Sequence, residues 1–349
     1  MGHRFLVMFT VAIVATLAAV SAAAQSSPQA RKTRASKPWT PPLTPDGQPD
    51  LQGVWLSNRA TPLERPKALE GRQYLTDAEV AELKKRADRI FKGGNSDFAA
   101  GDNAFLAALA NVEQYKNPNI STGGSLDMVE REFDNRTSLI IDPPDGKIPP
   151  LTPEARRKQA AAEVRQRLLA GPEDVNNALR CITFGVPRLG GNFGSGPYSY
   201  YRIFQNQHYF VLFSEIIHEA RIVPLDGRPH LPRSIRLWNG DSRGRWEGRS
   251  LVVDTSNFSP KSDFMGSAEN LHLVERFTRV APDTIEYQIT LDDATTWTKP
   301  WTAMIRLKET HDAIYEFACH EGNYQIMVGM LAGARAQEAE ETKKQRETK

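Results

Sequence analysis

LHLVERFTRVAPDTIEYQITL, residues 271–291, decides the fold. It holds two runs rich in β-branched and aromatic residues, 271–280 and 283–291, separated by the turn signal Ala281-Pro282-Asp283. The same texture continues at 300–308 and 313–320, and precedes it at 249–255, 234–238, 216–223, 208–213 and 200–204. Pro224-Leu225-Asp226-Gly227 and Asn239-Gly240-Asp241 are further turns between these runs. Nine closely spaced strands with no helical pattern between them predict an antiparallel meander. Such a sheet exposes its edges unless it closes or is covered. The expected fold is therefore mostly β, a lipocalin-like antiparallel barrel.

Two helices and long loops are inserted early. A short strand is expected at Leu51–Trp55. Thr76-Asp77-Ala78-Glu79 is a capping box and Leu75 with Val80 a hydrophobic staple. Val80, Leu83, Ala87 and Ile90 then recur at helical spacing up to Phe91. Thr137–Ile141 reads as a short strand that stops at Asp142-Pro143-Pro144-Asp145-Gly146. Thr152 is the N-cap and Pro153 the first residue of a second helix that should end near Gly171-Pro172. Segment 185–197 carries five glycines and two prolines and reads as a loop. The domain plan is a signal at 1–24, a disordered linker at 25–50 and one β-rich domain at 51–335. Its helical insertion spans about 75–170, and a polar tail follows at 336–349.

The N-terminus looks made for export. Arg4 supplies a positive start, Phe5–Val20 an apolar run of sixteen residues, and Ala22-Ala23-Ala24 the small residues before cleavage at Gln25. Sixteen is short of the ~20 residues a membrane span needs. No other stretch approaches spanning length, so the mature chain is expected to lack an integral membrane segment and to work in the periplasm or outside the cell. Removing Arg4 with the signal takes the formal charge from +2 to +1. That near-neutral balance argues against a nucleic-acid partner. Cys181 and Cys319, the only two cysteines, are expected to pair in an oxidising compartment.

Several longer motifs mark the chain: Pro49-Asp50-Leu51-Gln52-Gly53-Val54-Trp55, Arg221 to His230 (RIVPLDGRPH), Trp238 to Gly248 (WNGDSRGRWEG) and Ala318 to Tyr324 (ACHEGNY). Together they resemble a large family of exported proteins of soil bacteria. The resemblance runs across nearly the whole mature chain and implies export and a single unit; it implies no activity. The opening Gly53-Val54-Trp55 is also similar to the entry strand of lipocalin-like (calycin) barrels.

The chain contains no Gly-x-Ser-x-Gly elbow, no phosphate loop with Lys and no His-Glu-x-x-His helix. What stands out is titratable residues near strand ends. His218 and Glu219 lie in the 216–223 run, with Glu219 and Arg221 on one face and His218 on the other. They read either as an exterior Glu219–Arg221 pair with a core histidine or as an interior acid–base site. His230 lies in a Pro-rich loop, and His320-Glu321 directly follows Cys319. His218, Glu219, His230, His320 and Glu321 are the candidate catalytic groups. Arg221, Arg228, Arg245, Trp246, Glu247 and Tyr324 are candidate ligand-binding residues. Asp241 and Arg243 crowd the same hairpin as Arg245–Glu247, where two Arg beside an aromatic suit a carboxylate or sugar.

No cofactor is predicted. His218, His230, His272 and His320 with Glu219 or Glu321 are the alternative as ligands of a divalent metal. The leading expectation is an exported enzyme performing histidine/carboxylate acid–base chemistry on a small organic molecule, as a lyase or hydrolase. The alternatives are a non-catalytic small-molecule binding barrel and an envelope-associated structural protein whose basic linker touches anionic surfaces.

Overall fold

In the alternating strand β9 (Thr284–Asp292), Ile285, Tyr287, Ile289 and Leu291 all face one side and are buried. The same holds for Leu273 and Phe277 of β8 (His272–Ala281) and for Trp301, Ala303, Ile305 and Leu307 of β10 (Trp301–Thr310). Burying this shared face builds the molecule around one sheet. The computed structural model describes residues 39–91, 101–113, 132–187 and 199–347. The expected signal, most of the linker and the Gly-rich loop from 188 onward lie outside them.

Seven further strands complete a ten-stranded antiparallel sheet: β1 (Gly53–Leu56), β2 (Ile140–Asp142), β3 (Tyr200–Gln205), β4 (Tyr209–Ser214), β5 (Glu219–Pro224), β6 (Asp241–Glu247) and β7 (Ser250–Ser256). Their order is β5-β4-β3-β1-β10-β9-β8-β7-β6, with β2 pairing the start of β10 while β1 pairs its end. The sheet curls strongly. Four strands lie between β4, which carries Phe210, and β8, which carries Phe277, yet the two ring centroids are 5.2 Å apart.

The curl does not close into the expected lipocalin-like barrel: no ladder joins β5 to β6. Pro224 has no N–H to offer a partner strand. Side chains meet across the seam instead. A Cβ at Gly244 of β6 would lie 2.5 Å from Leu225 Cδ2 and 3.0 Å from Val223 Cγ1. The space inside the curl is filled by Trp55, Tyr201, Phe210, Phe277, Tyr287 and Trp301, all essentially without solvent contact.

Seven of the nine expected meander strands form. The 234–238 run makes only a single bridge, Leu237 to Phe258, and 313–320 is extended without a ladder. The 216–223 strand begins late. Ile217 (φ 57°) and His218 (φ 53°) are left-handed, so His218 sits in a turn before β5 and not inside a strand. A strand forms where none was expected: Asp241–Glu247 pairs with β7 through the Gly248 turn. The last part of the expected disordered linker is ordered too, with Leu43 bridging Pro49 around Gly47.

Helix α1 (Asp77–Ile90) starts with the expected capping box. Glu79 N–H donates to Thr76 Oγ1 at 3.3 Å, and Thr76 N–H donates to Glu79 Oε2 at 2.8 Å. Leu83, Ala87 and Ile90 pack with α2 (Gly101–Ala110) and Phe133 as a second, smaller core. Helix α3 (Pro153–Leu168) is capped by Thr152 and is mostly solvated. Helix α4 (Asn323–Glu347) makes the expected polar tail helical and begins at residue 323. Cys181 and Cys319 form a disulfide closing a separation of 138 residues, worth roughly 5 kcal/mol of unfolded-chain entropy. It tethers the start of α4, where the last meander strand was expected.

A charged pair sits inside the curl. Glu275 of β8 has no solvent contact and shares the inner face with Leu273 and Phe277. Arg221 reaches it from β5: Nη2 donates to Oε1 at 3.0 Å, and Nη1 lies 2.8 Å from Oε2. Tyr287 O–H donates to Oε1 as well. Arg221 thus pairs with Glu275 across the core, and not with Glu219 on the exterior. Burial works against the Arg221 charge, but Glu275 outweighs it and holds Arg221 above its ordinary range. Burial, with Glu275 beside it, pushes the Tyr287 hydroxyl well up.

Arg221→Met or Glu275→Leu alone strands a buried charge and should cost about 3–5 kcal/mol in denaturant unfolding. The double variant should recover most of that loss. Single variants within about 1 kcal/mol of the parent would show that the pair is not buried as a unit.

Candidate functional site

Five titratable side chains converge on the outer face of the sheet, where β6, β7 and β8 lie side by side. Strand alternation places Arg243, Asp254 and His272 on that face, opposite the core. The register sets Arg243 across from Asp254, and Asp254 across from Val274, two residues after His272. His272 is therefore a diagonal neighbour of Asp254. Its Nε2 lies 2.9 Å from Asp254 Oδ2.

The other oxygen of Asp254 meets His230. The segment joining β5 to β6 folds back over the outer face and inserts the His230 ring between two strands. Nε2 is 3.1 Å from Asp254 Oδ1, and Nδ1 is 3.0 Å from Asp241 Oδ2. Leu231 N–H donates to that same Asp241 oxygen at 2.8 Å, and Arg243 Nη1 donates to Oδ1 at 2.6 Å. Arg243 Nε also donates to Pro229 O at 3.0 Å, and Asn257 Nδ2 to Leu231 O at 2.7 Å. The result is a continuous chain, His272–Asp254–His230–Asp241–Arg243. Asp241 is buried beneath the loop, His230 is 30% exposed, and His272 is 46% exposed.

Electrostatics follow the contacts. The His272 hydrogen bond holds the Asp254 carboxyl below its usual range against partial burial. The same bond raises His272 above the ordinary imidazole value. His272 thus combines an oriented Nε2 with an Nδ1 that carries no hydrogen bond among the described residues. An imidazole held by a carboxylate through one nitrogen and presenting the other is equipped to move protons.

Of the residues singled out from sequence, His230 belongs to this chain, with Asp241 and Arg243 from the same hairpin. His272, weighed only as a metal ligand, is its exposed end. Asp254 was missed; its signal was an acid directly after the apolar run 251–253, which a strand places on the outer face. The others lie elsewhere. Glu219 accepts from Asn239 Nδ2 and, at 3.1 Å, from Thr183 Oγ1. His218 Nδ1 accepts from Phe317 N–H at 3.0 Å. Arg228 is bound to Asp226 within its own turn. Arg245 and Arg276 share Glu247, and Trp246 packs against the main core. His320 and Glu321 are exposed in the turn before α4, where Tyr324 is 79% exposed.

A cleft of about 240 Å³ lies at the opposite end of β8 from His272, lined by Arg59, Glu132, Asp134, Glu286, Arg306 and Lys308 among others. Ion pairs run through it, Arg306 with Glu286 and Lys308 with Glu132. Among the described residues no group of three or more His, Cys, Asp or Glu is arranged to hold a metal ion. In the His230–Asp254–His272 set the two Nε2 atoms approach opposite oxygens of one carboxylate. Among the described residues no helix is long and apolar enough to cross a membrane.

The linked shifts fix a pH window. His272 holds its proton more tightly when folded, so its contribution to stability is complete below about pH 6.5 and fades as pH rises through the folded titration. Asp254 is depressed, so its contribution is complete above its ordinary 3.8 and is lost as pH falls through the folded value. The stability difference between the parent and His272→Asn should therefore be largest between roughly pH 4 and 6.5. A difference that stays flat from pH 3 to 9 in urea titrations would contradict the pairing.

No family model matches the chain, and no curated protein or solved structure does.

Proposed function

We propose that the protein is an exported enzyme, periplasmic or secreted, in which the His272–Asp254 pair performs acid–base chemistry on a small organic molecule. The observation that carries this reading is the 2.9 Å contact from His272 Nε2 to Asp254 Oδ2, made by a half-exposed ring. Asp254 fixes the tautomer and stabilises the imidazolium, so Nδ1 is the atom that takes a proton from substrate or water. The imidazolium then returns that proton to the departing group. This cycle serves a lyase, which removes a proton next to a leaving group, and a hydrolase, which activates water. The hydrophobic N-terminal segment followed by Ala22-Ala23-Ala24, the Cys181–Cys319 disulfide and the resemblance to exported proteins of soil bacteria support the location. The same resemblance supports membership of that family.

The carrier alternative has less to rest on, because the side chains that would line a binding cup pack against one another inside the curl. Mature protein screened against esters, lactones and β-substituted acids should show a turnover that falls roughly 10²–10⁴-fold in His272→Ala and Asp254→Asn. His320→Ala, on the exposed turn, should match the parent. Turnover that survives unchanged in His272→Ala would remove the assignment.

A further inference from the structure

We propose that His230 is a proton-operated clasp that regulates this same site, seating its loop on the sheet and dividing Asp254 between two imidazoles. Both ring nitrogens face carboxylate oxygens, Asp241 of β6 at 3.0 Å and Asp254 of β7 at 3.1 Å. An ionised carboxylate only accepts, so each contact needs an N–H. A neutral imidazole has one N–H and the imidazolium two. The two contacts coexist only when the ring carries both protons.

Among the described residues, Asp241 and Asp254 are the charged groups that contact the ring. Asp241 is neutralised by Arg243 on its other oxygen, from the same strand. Asp254 is shared with His272 of β8. Within the loop itself, Asp226 and Arg228 are paired with each other. Loss of one proton from His230 leaves a ring lone pair about 3 Å from a carboxylate oxygen, a repulsive contact that must open. The Asp254 side opens. Asp241 is buried, and Leu231 N–H and Arg243 hold it in place, whereas the side chains of Asp254 and His230 are partly exposed. The neutral ring keeps its Nδ1–H on Asp241 and turns away from Asp254, whose carboxylate then serves His272 alone. One proton on His230 thus sets whether the reactive pair is shared and whether the loop has two anchors or one. The effect on His272 rests on the acid–base reading above; the clasp itself does not.

Nuclear magnetic resonance on the mature chain labelled with ¹⁵N-histidine tests it directly, with native mass spectrometry on the same sample. At acid pH both His230 nitrogens should report attached protons. As pH rises, Nε2 alone should become unprotonated, and the protection factor of the Leu231 amide should fall roughly tenfold in step. That is the scale of one charge-assisted hydrogen bond. His230→Gln, with a single donor group, should show the lower protection at every pH. A His230 ring that carries one proton throughout, with Leu231 protection unchanged, would overturn the proposal. So would a divalent ion in the native mass whose removal alters the His230 Nε2 signal. These readouts involve no turnover, so a working clasp beside an unaffected His272→Ala enzyme would sink the catalytic reading alone.

Discussion

Glu275 carries a carboxylate into the middle of an apolar sheet face, where Arg221 and Tyr287 are the groups that meet it. Arg221 belongs to the first strand of the sheet order and Glu275 to the seventh, so the contact exists only if the sheet curls through most of a turn. The curl brings Phe210 onto Phe277 and lays Val223 and Leu225 against the bare backbone of Gly244. Two buried atoms of the pair, Arg221 Nε and Glu275 Oε2, have no hydrogen bond among the described residues, which makes it an imperfect satisfier of its own desolvation. Its value lies in geometry: it selects the curled arrangement over a flatter sheet with the same ladders.

That curl also explains why the candidate site is outside. With the inner face filled by aromatic rings and buried charged groups, polar groups of β6, β7 and β8 are left on the convex side. The β5–β6 connection leaves the seam and must cross the outer face to enter β6. His230 is carried along this path, over Asp241 and onto Asp254. The open seam and the loop-covered histidine are two results of the same connection.

Much of the local structure was legible in the sequence. The Thr76/Glu79 box and the Thr152-Pro153 start announced two helices, because capping chemistry is decided within four residues. The alternation in 271–291 announced the central hairpin. Strand β6 was hidden because Asp241–Glu247 holds charges, a glycine and one aromatic, and its pairing comes from β7. The 313–320 run failed as a strand because tertiary bonds draw it off the sheet: Tyr315 N–H to Glu215, Phe317 N–H to His218, and Cys319 to Cys181. Closure was overread, since period-two patterning cannot distinguish a closed barrel from a curled sheet with Pro224 at its edge. His230 was found as a titratable residue in a rigid loop. Asp254 and the role of His272 depend on register, and register across three strands is not written in any one of them.

Strand β1 lies between β3 and β10, with Trp55 opposite both Tyr201 and Glu309. Its partners in β10 are about 250 residues away along the chain. While the chain is incomplete, β1 can pair only with β3, and its other edge has no neighbour. The two halves of the sheet join only after the last strand arrives, which places the molecule among slow-folding, high-contact-order topologies.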